Sequence, residues 1–147
     1  MAVTVERMQF SEVAGIRRLY EQSSEDLKRD FNAPTILVNR KWLLLTYLSC
    51  TPLRGLLPGR VDVWLAKDDG EIVGFCYIAE KGARRDLGIM VKEGQQGKGV
   101  GHKLMTAALE NRTNVTLSVM YSNERARALY RKHGFETEMI VEYMRKR

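Results

Sequence analysis

The sequence predicts a single α/β domain built on a mixed β-sheet. The chain has 147 residues, of which 44% are hydrophobic and 29% are charged, values typical of one compact globular domain. Some segments have apolar residues at every second position, which is typical of strands. Between them lie segments whose apolar residues recur at helical spacing. No repeat, low-complexity tract or Gly/Ser-rich linker divides the chain. We therefore predict one domain that spans residues 1–147.

The first third of the sequence predicts a strand and two helices. Residues 3–8 alternate as a strand does. Ser11 is predicted to cap the first helix, whose apolar residues then fall on one face. The polar stretch Ser23–Asn32 predicts a loop or a broken helical turn. A second helical pattern covers Thr35–Cys50, and Thr51-Pro52 ends it.

The central part of the sequence predicts three consecutive strands. Val61–Ala66 and Glu71–Ile78 flank Asp68-Asp69-Gly70, a sequence that favours a tight hairpin turn. Arg85–Val91 follows as the third of these strands.

The last third of the sequence predicts two helices, each followed by a strand. A glycine-rich loop opens the first helix, and Val115–Met120 alternates as the next strand. A helix over Asn123–His133 ends at Gly134, and Phe135–Met144 predicts a final strand. The expected order of elements is therefore β-α-α-β-β-β-α-β-α-β, which is typical of an α/β domain with a mixed sheet.

The charge balance favours an anionic partner but does not identify it. The sequence has 24 Lys and Arg against 18 Asp and Glu, a formal net charge of +6. Such a charge suits nucleic acid, an acidic protein surface or a phosphorylated cofactor, and it would equally serve only to keep a small protein in solution. The densest clusters are Arg84-Arg85 and Arg145-Lys146-Arg147, and no basic stripe is interleaved with aromatic residues. This pattern argues against single-stranded nucleic acid as the partner.

Neither a membrane span nor secretion is expected. The most apolar stretch, Trp42–Cys50, is far shorter than the roughly 20 residues that a membrane-spanning helix needs. Residues 1–7 lack the basic segment and apolar core of a secretory signal. Cys50 and Cys76 lack the CxxC spacing of a zinc site, so we expect no metal and two buried thiols in a reducing cytoplasm.

The most informative local feature is the segment Gln96-Gly97-Lys98-Gly99-Val100-Gly101, which lies between a predicted strand and a predicted helix. Glycines let the backbone adopt positive φ and approach a ligand closely, and the first amides of a helix lack internal partners. Together they favour a phosphate cradle made of backbone N–H groups, to which Gln96 would add a side-chain amide and Lys98 a charge. A plain turn with close helix packing would use the same glycines. The spacing fits neither GxxxxGK[ST] nor GxGxxG.

Two motifs resemble those of the GCN5-related N-acetyltransferase (GNAT) superfamily. The first is [Gln/Arg]-x-x-Gly-x-[Gly/Ala] after the fourth strand, which Gln96, Gly99 and Gly101 match. The second is L-x-V-x-x-x-N-x-x-A-x-x-L-Y-x-x-x-G-F, and its matching residues are Leu117, Val119, Asn123, Ala126, Leu129, Tyr130, Gly134 and Phe135. The clear resemblance covers residues 87–135. One departure is Lys92-Glu93, where the family frequently has a proline just after the strand.

This resemblance implies both the fold and the cofactor. The central sheet would be splayed between the fourth and fifth strands, Arg85–Val91 and Val115–Met120, and acetyl-CoA would bind in the gap. Ile89, Met90 and Val91 would pair with the pantetheine like an added strand, and the Val91 N–H would polarise the thioester carbonyl. The residues expected at the pyrophosphate are Gln96, Gly97, Lys98, Gly99, Val100, Gly101 and His102.

The resemblance also implies acetyl transfer to a primary amine by direct attack in a ternary complex. Asn123 would reach the pantetheine or orient the cofactor thiol, and Tyr130 would also contact the cofactor. Tyr130 would protonate the departing thiolate as general acid, although an ordinary core aromatic would fit the same helical face, and Tyr121 is a weaker substitute. Asp86 would act as general base, directly or through water, with Glu80 as an alternative, and a solvated surface carboxylate would fit either position equally well.

Three other reactive side chains are assigned no catalytic role. His102 and His133 lie on predicted helices without an adjacent nucleophile, which favours packing or surface roles for their imidazoles. Cys76 lies in the middle of a strand and is expected to be buried and inert, so an acyl-cysteine mechanism is rejected.

The acceptor remains open from the sequence. The second motif resembles that of ribosomal-protein N-terminal acetyltransferases, which favours a protein N-terminus or lysine, with a small-molecule amine as the alternative. The segments expected to select the acceptor are Ser23–Asn32, Thr51–Arg60 and Phe135–Met144. A non-catalytic acyl-CoA-binding or sensing module and a small basic nucleic-acid-binding protein are the alternatives from other classes. A homodimer is common for such folds and is retained as an expectation.

Overall fold

The computed structural model describes residues 2–31, 60–142 and 144–146. Its elements follow the predicted α/β order, and the helix predicted over Thr35–Cys50 lies outside the described residues. In chain order they are β1 (Thr4–Arg7), a 3-10 turn (Phe10–Glu12), α1 (Val13–Gln22), α2 (Glu25–Phe31), β2 (Arg60–Asp68), β3 (Glu71–Lys81), β4 (Arg84–Val91), α3 (Val100–Leu109), β5 (Val115–Thr116) and α4 (Glu124–Lys132).

The strands of the described ranges form one mixed five-stranded sheet in the order β1-β2-β3-β4-β5. The first three pairings are antiparallel, and β4 pairs with β5 in parallel. The predicted hairpin between β2 and β3 is confirmed, because Asp68 pairs with Glu71 across a two-residue loop. Asp69 and Gly70 have φ angles of 48° and 80°, as the favoured type I′ hairpin loop requires. The sequence-predicted α/β class with a mixed sheet is therefore confirmed.

Helices cover both faces of this sheet and create two apolar clusters. On β2, Val63 and Leu65 pack into the cluster that includes residues of α1, whereas Trp64 and Ala66 pack into the cluster that includes residues of α3. Successive side chains of a strand point to opposite faces, so one strand can feed both clusters. Leu104 of α3 is completely buried. The sheet is thus the middle layer of an α/β/α arrangement.

The structure corrects the prediction of a loop or a broken helical turn over Ser23–Asn32, because a regular helix, α2, occupies most of the described part of this segment. The Ser24 hydroxyl oxygen accepts a hydrogen bond from the Leu27 N–H at 3.2 Å, which satisfies one of the free amides of the first turn. Acidic residues in that turn and basic residues in the last turn complement the helix dipole. The predicted Ser11 cap is also wrong: α1 begins at Val13 after the 3-10 turn, without a side-chain cap.

The final strand predicted over Phe135–Met144 is not formed in the described residues of that segment. After the turn at Gly134, the Phe135 N–H donates to the Tyr130 carbonyl oxygen at 3.1 Å, which fastens the start of the segment to α4. Beyond that point no neighbouring strand supplies backbone partners in the described chain, and alternation of apolar residues cannot form a strand by itself. The predicted strand at Val115–Met120 is likewise reduced to the two residues of β5.

Candidate functional site

The main feature of the candidate site is a gap between β4 and β5. The two strands pair only at Arg85 with Val115 and at Asp86 with Thr116, whereas β4 continues to Val91. The structure therefore confirms the predicted splay. The gap lies where the sheet changes from antiparallel to parallel pairing.

The backbone of β4 presents hydrogen-bonding groups to this gap. The Lys92 N–H donates to the Val73 carbonyl oxygen in β3 at 2.8 Å, so alternation along the strand directs the backbone groups of Val91 and Ile89 to the opposite edge. The Val91 carbonyl oxygen accepts instead from the Gln96 side-chain amide at 3.1 Å, in agreement with that direction. The exposed edge of β4 thus offers groups with which an extended ligand can pair like another strand.

A loop with three left-handed glycines connects β4 to α3. Gly94, Gly97 and Gly99 have φ angles of 80°, 79° and 83°. A β-carbon built on any of them would have no heavy atom within 4 Å outside its immediate neighbours, so space lies beside the loop. These glycines are needed for their backbone conformation rather than to avoid a clash. Consecutive amides in such conformations form a concave anion-binding surface.

The first turn of α3 extends this surface. The Lys103 N–H donates to the Gly99 carbonyl oxygen at 3.1 Å, the first i to i−4 hydrogen bond of the helix. By helical geometry the preceding amides, those of Val100, Gly101 and His102, have no acceptor within the helix. Gly99 is the N-cap and supplies no side chain to occupy them. The loop and the helix start therefore provide free N–H donors and the positive end of the helix dipole at the end of β4.

Gly101 has a different function from the loop glycines. A β-carbon on Gly101 would lie 3.0 Å from Leu129 Cδ2 and 3.9 Å from Val91 Cγ2. This glycine therefore lets α3, α4 and the end of β4 approach one another closely. Close packing therefore explains Gly101, whereas the open space beside Gly97 and Gly99 is compatible with the predicted anion cradle.

The Gln96 side chain links two of these elements. Its Nε2 donates to the Val91 carbonyl oxygen, and its Oε1 accepts from Arg125 Nη1 at 2.5 Å. The side-chain amide thus connects β4 to the first turn of α4. Arg125 is an exposed cation beside the loop, as is Lys98. Sequence reasoning missed Arg125, because an exposed arginine on a helix carries no signal of its long-range neighbour.

Asn123 lies at the N-terminus of α4, on the β5 side of the gap. Its Oδ1 accepts from the Ala126 N–H at 3.0 Å, which makes it the N-cap of the helix. Its Nδ2 lies 3.4 Å from Asp30 Oδ2 at the end of α2. Asn123 therefore fixes the start of α4 and brings it near a carboxylate. Asp30 was missed as an individual residue because its segment was predicted to be a loop.

Tyr130 is mostly buried on α4, where it packs against the cluster on the α3 side of the sheet. Its ring is 6.1 Å from that of Phe135 in an edge-to-face arrangement. Burial raises the pKa of the Tyr130 phenol well above its ordinary value, and Cys76 and Tyr77 add to that rise. The phenol therefore keeps its proton at neutral pH, which is the form that a proton donor requires.

The two candidate bases are both paired with arginines. Asp86 Oδ1 accepts from Arg84 Nε at 2.8 Å and from the Thr116 hydroxyl at 2.9 Å, at the last paired position of β4 and β5. Glu80 Oε1 accepts from Arg85 Nε at 3.1 Å. The Arg84-Arg85 cluster noted in the sequence is therefore matched by these carboxylates instead of forming a free basic patch.

The remaining residues singled out in the sequence are two histidines and two cysteines. His102 is exposed on α3, and its ring lies 4.7 Å from that of His133. Cys76 is a fully buried free thiol whose pKa is raised by burial, which confirms the predicted burial of this cysteine, whereas Cys50 lies outside the described residues.

Metal-binding clusters and membrane-spanning helices are both absent from the described part of the chain. No group of three or more His, Cys, Asp or Glu there is arranged to hold a metal ion. None of its helices has the length and apolar character that crossing a membrane requires.

Comparison with solved structures shows the same fold. PaiA N-acetyltransferase from Thermoplasma acidophilum, solved in complex with coenzyme A, is 15% identical with a TM-score of 0.71, over 94% of this chain and 92% of that chain. AAC(6')-Iy, solved in complex with the bisubstrate analogue CoA-S-monomethyl-acetylneamine, is 17% identical with a TM-score of 0.68, over 100% and 99%. A predicted acetyltransferase from Clostridium acetobutylicum, solved with acetyl-CoA, is 13% identical with a TM-score of 0.65, over 97% and 96%.

Comparison at the sequence level identifies the family. No curated protein matches the chain. A family model described as the acetyltransferase (GNAT) domain matches residues 59–137, more than half of the chain, and this range contains β4, the glycine loop and α4. The family model and the shared fold agree with the gap and the amide surface at the end of β4. The chain therefore belongs to the GNAT acetyltransferase family and is an acyltransferase.

Proposed function

We propose that this protein transfers an acetyl group from acetyl-CoA to a primary amine by direct attack of the amine on the thioester. One observation carries the proposal: an open strand edge and a surface of free backbone amides are continuous at the end of β4. A pantetheine arm needs partners along an extended path, and a diphosphate needs donors without a bulky side chain in the way. Both needs are met by the residues present, so acetyl-CoA fits this site as the acyl donor.

The residues that would hold the donor follow from this fit. The amides of residues 97–102 would bind the diphosphate, with Lys98 and Arg125 as nearby cations. The exposed backbone groups of Ile89 and Val91 would pair with the pantetheine, whereas those of Met90 face β3. The Gln96 side chain would position the site and would not bind the diphosphate itself. Its amide is already hydrogen-bonded to the Val91 carbonyl oxygen and to Arg125.

The catalytic roles rest on three groups around the gap. The Val91 N–H would donate to the thioester oxygen as negative charge develops there, and one such donor is worth about 3–4 kcal/mol. Tyr130 would supply a proton to the departing thiolate from a phenol that stays neutral at pH 7. Asp86 would accept the proton of the incoming amine, directly or through water. Its Oδ1 would first have to give up its hydrogen bonds with Arg84 and Thr116.

The acceptor class that we propose is a protein N-terminus or lysine, with a small-molecule amine as the second candidate. The resemblance of the motif around Asn123 and Tyr130 to that of N-terminal acetyltransferases supports the first. The aminoglycoside-derived bisubstrate analogue bound to AAC(6')-Iy supports the second. A non-catalytic acyl-CoA sensor remains the alternative from another class.

The experiment is acetyl-CoA turnover, followed by thiol release, against a panel of peptides with free N-termini, lysine peptides and small amines. We expect acceptor-dependent thiol release with at least one peptide class. Turnover only with small amines would select the second candidate. Tight coenzyme binding without release for any acceptor would favour the sensor, and no binding at all would contradict the proposal.

A further inference from the structure

We propose that Tyr77 binds the acceptor: its phenol oxygen accepts a hydrogen bond from the incoming primary amine and thereby aims the nitrogen lone pair at the thioester. Tyr77 lies on β3, where it pairs with Gly88 of β4. The inference rests on the proposed function and deepens it, because it assigns a residue to the acceptor side of the same site.

The first observation is that the outer end of the Tyr77 ring lies across β4 at Gly88. A β-carbon built on Gly88 would lie 2.6 Å from the phenol oxygen of Tyr77 and closer still to two carbons of its ring. Any other residue at this position would therefore push the ring away. Gly88 does not have a positive φ angle, and glycine inside a strand costs stability. What Gly88 provides is the close approach of Tyr77.

The second observation is that Gly88 lies at the opening of the gap. The pairing of β4 with β5 ends at Asp86 and Thr116, and Gly88 is the next residue on the same face of β4 as Asp86. The phenol oxygen of Tyr77 therefore lies over the first part of β4 that β5 leaves open. Along the strand this position falls between Asp86, the proposed base, and Val91, the proposed donor to the thioester oxygen.

Tyr77 and Tyr130 approach this part of the sheet from opposite faces. Tyr77 belongs to the apolar cluster that includes residues of α1, whereas Tyr130 packs against the cluster that includes residues of α3. An amine must add to one face of the planar thioester, and its orientation there governs the rate. The phenol on the α1 side can thus orient the amine, while the phenol on the α3 side serves the departing sulfur.

The third observation concerns the Tyr77 hydroxyl itself. The residue is only 9% exposed, and a buried tyrosine hydroxyl ordinarily has a hydrogen-bond partner. No hydrogen bond joins this hydroxyl to any of the described residues. It is also not among the unpartnered polar atoms that are shielded from solvent there. Phe31 holds the ring edge-to-face at 6.3 Å, so a fixed ring presents an unpartnered hydroxyl to an accessible space.

The chemistry of this hydroxyl suits an acceptor-binding role. Burial raises the pKa of Tyr77 to about 12, and Cys76 and Asp86 contribute to the rise, so the phenol stays neutral and offers its lone pairs to an N–H. The amine nitrogen forms a bond to the carbonyl carbon, the C–S bond breaks, and the thiolate takes the Tyr130 proton. The proton that the amine loses goes to Asp86, directly or through water, and exchange with solvent restores both groups. Tyr77 itself neither gains nor loses a proton.

The test is thiol release from acetyl-CoA by the wild type and by Tyr77→Phe, with two acceptor probes. Alanyl-alanine amide offers an α-amine, and Nα-acetyl-lysine amide offers a side-chain amine. We expect kcat/KM for the acceptor to fall about tenfold or more in the variant, mainly through a higher KM for the amine, as the loss of one hydrogen bond predicts. The KM for acetyl-CoA and the free energy of unfolding should stay unchanged, because the ring keeps its contacts with Gly88 and Phe31.

Tyr20→Phe is the matched control. Tyr20 also contacts the Phe31 ring, with centroids 6.4 Å apart, but it lies on α1, so its variant should behave like the wild type. An unchanged kcat/KM for the acceptor in Tyr77→Phe would overturn the inference and leave the proposed function standing. An equal rise in the KM for acetyl-CoA, or a loss of stability that accounts for the lower activity, would overturn it as well.

Failure of the proposed function gives a different result. The wild type would then bind coenzyme A but release no thiol with either probe or with any other amine of the panel above. The assignment of Tyr77 would fall together with the proposed function in that case.

Discussion

Gly101 and Leu129 meet where α3 passes α4, so that a β-carbon on Gly101 would lie 3.0 Å from Leu129 Cδ2. Two residues earlier, Gly99 has open space around it and a φ angle of 83°. One glycine therefore sets the spacing of two helices, and the other sets the direction of the amides that open α3. Substitutions at the two positions should fail in different ways.

Gly101→Val should lower the free energy of unfolding by about 2 kcal/mol, because overpacking a close contact typically costs about 1–3 kcal/mol. Denaturant unfolding measures this loss. Combining Gly101→Val with Leu129→Ala provides the control. The pair should cost less than the sum of the single changes, since Leu129→Ala removes the atom that collides. Strictly additive costs would show that the two residues do not share this contact.

Gly99→Ala should weaken coenzyme A binding at least tenfold, because an L-residue resists the left-handed conformation that aims the α3 amides. Calorimetric titration with coenzyme A measures the affinity. Gly82→Ala is the matched control: Gly82 also has positive φ, at 60°, and open space, but it lies in the turn between β3 and β4. Equal losses of affinity in both variants would point to general destabilisation instead of the amide surface.

Tyr130→Phe should reduce turnover by about 100-fold or more, the range expected on removing a general acid, with coenzyme affinity nearly unchanged. The packing of the ring against Phe135 is kept in this variant, so unfolding should be little affected. Steady-state thiol release and coenzyme titration separate the two effects. Tyr121→Phe, at a tyrosine that is 67% exposed, is the control and should retain full activity. An active Tyr130→Phe enzyme would assign the phenol a packing role only.

Asp62→Ala should destabilise the fold by about 3 kcal/mol, because it leaves the mostly buried guanidinium of Arg112 without its carboxylate partner. Asp62 is 5% exposed on β2, where its carboxylate accepts from Arg7 at 3.2 Å and from Arg112 at 3.0 Å. Both guanidinium groups also lie over the Trp64 ring. Arg17→Ala, which breaks the exposed pair with Glu21, should cost less than about 0.5 kcal/mol. Denaturant unfolding measures both losses. Similar losses of unfolding free energy in the two variants would contradict the assignment of Asp62 as the centre of a buried ion-pair cluster.

Stability should fall between about pH 7.5 and pH 5.5 through His133. Burial lowers the pKa of His133 below its ordinary value of 6.5, and His102 lowers it further. In this pH window His133 is protonated to a greater extent in the unfolded chain than in the folded chain, so its contribution to folding stability is lost as the pH falls. Nε2 of His133 is shielded from solvent without a hydrogen-bond partner in the described part of the chain. Denaturant unfolding of the wild type and of His133→Gln at the two ends of this pH window measures the effect. The free energy of unfolding should fall less in the variant than in the wild type.

Elements with strong local signals were predictable from the sequence. The β2–β3 hairpin follows from Asp69-Gly70, and α4 lies between the cap Asn123 and Gly134, as its sequence predicts. The splay and the glycine loop also agree with the motifs that indicated them. In each case a few neighbouring residues determine the local backbone.

Features that depend on distant contacts were not predictable. Phe31 anchors the short helix α2 through edge-to-face contacts with Phe75 and Tyr77, at 5.4 and 6.3 Å, and no local pattern reports them. Residues 135–144 carry a strand-like sequence, but a strand forms only when another strand supplies backbone partners. The bridge from Val91 through Gln96 to Arg125 joins three elements that are separate in sequence.

The most direct test of the central claim is a crystal structure of the protein grown with coenzyme A. The diphosphate oxygens should lie within hydrogen-bonding distance of the backbone amides of residues 97–102, and the pantetheine should pair with the exposed edge of β4 at Ile89 and Val91. A coenzyme bound elsewhere, or strands β4 and β5 paired along their whole length with no coenzyme between them, would contradict the account.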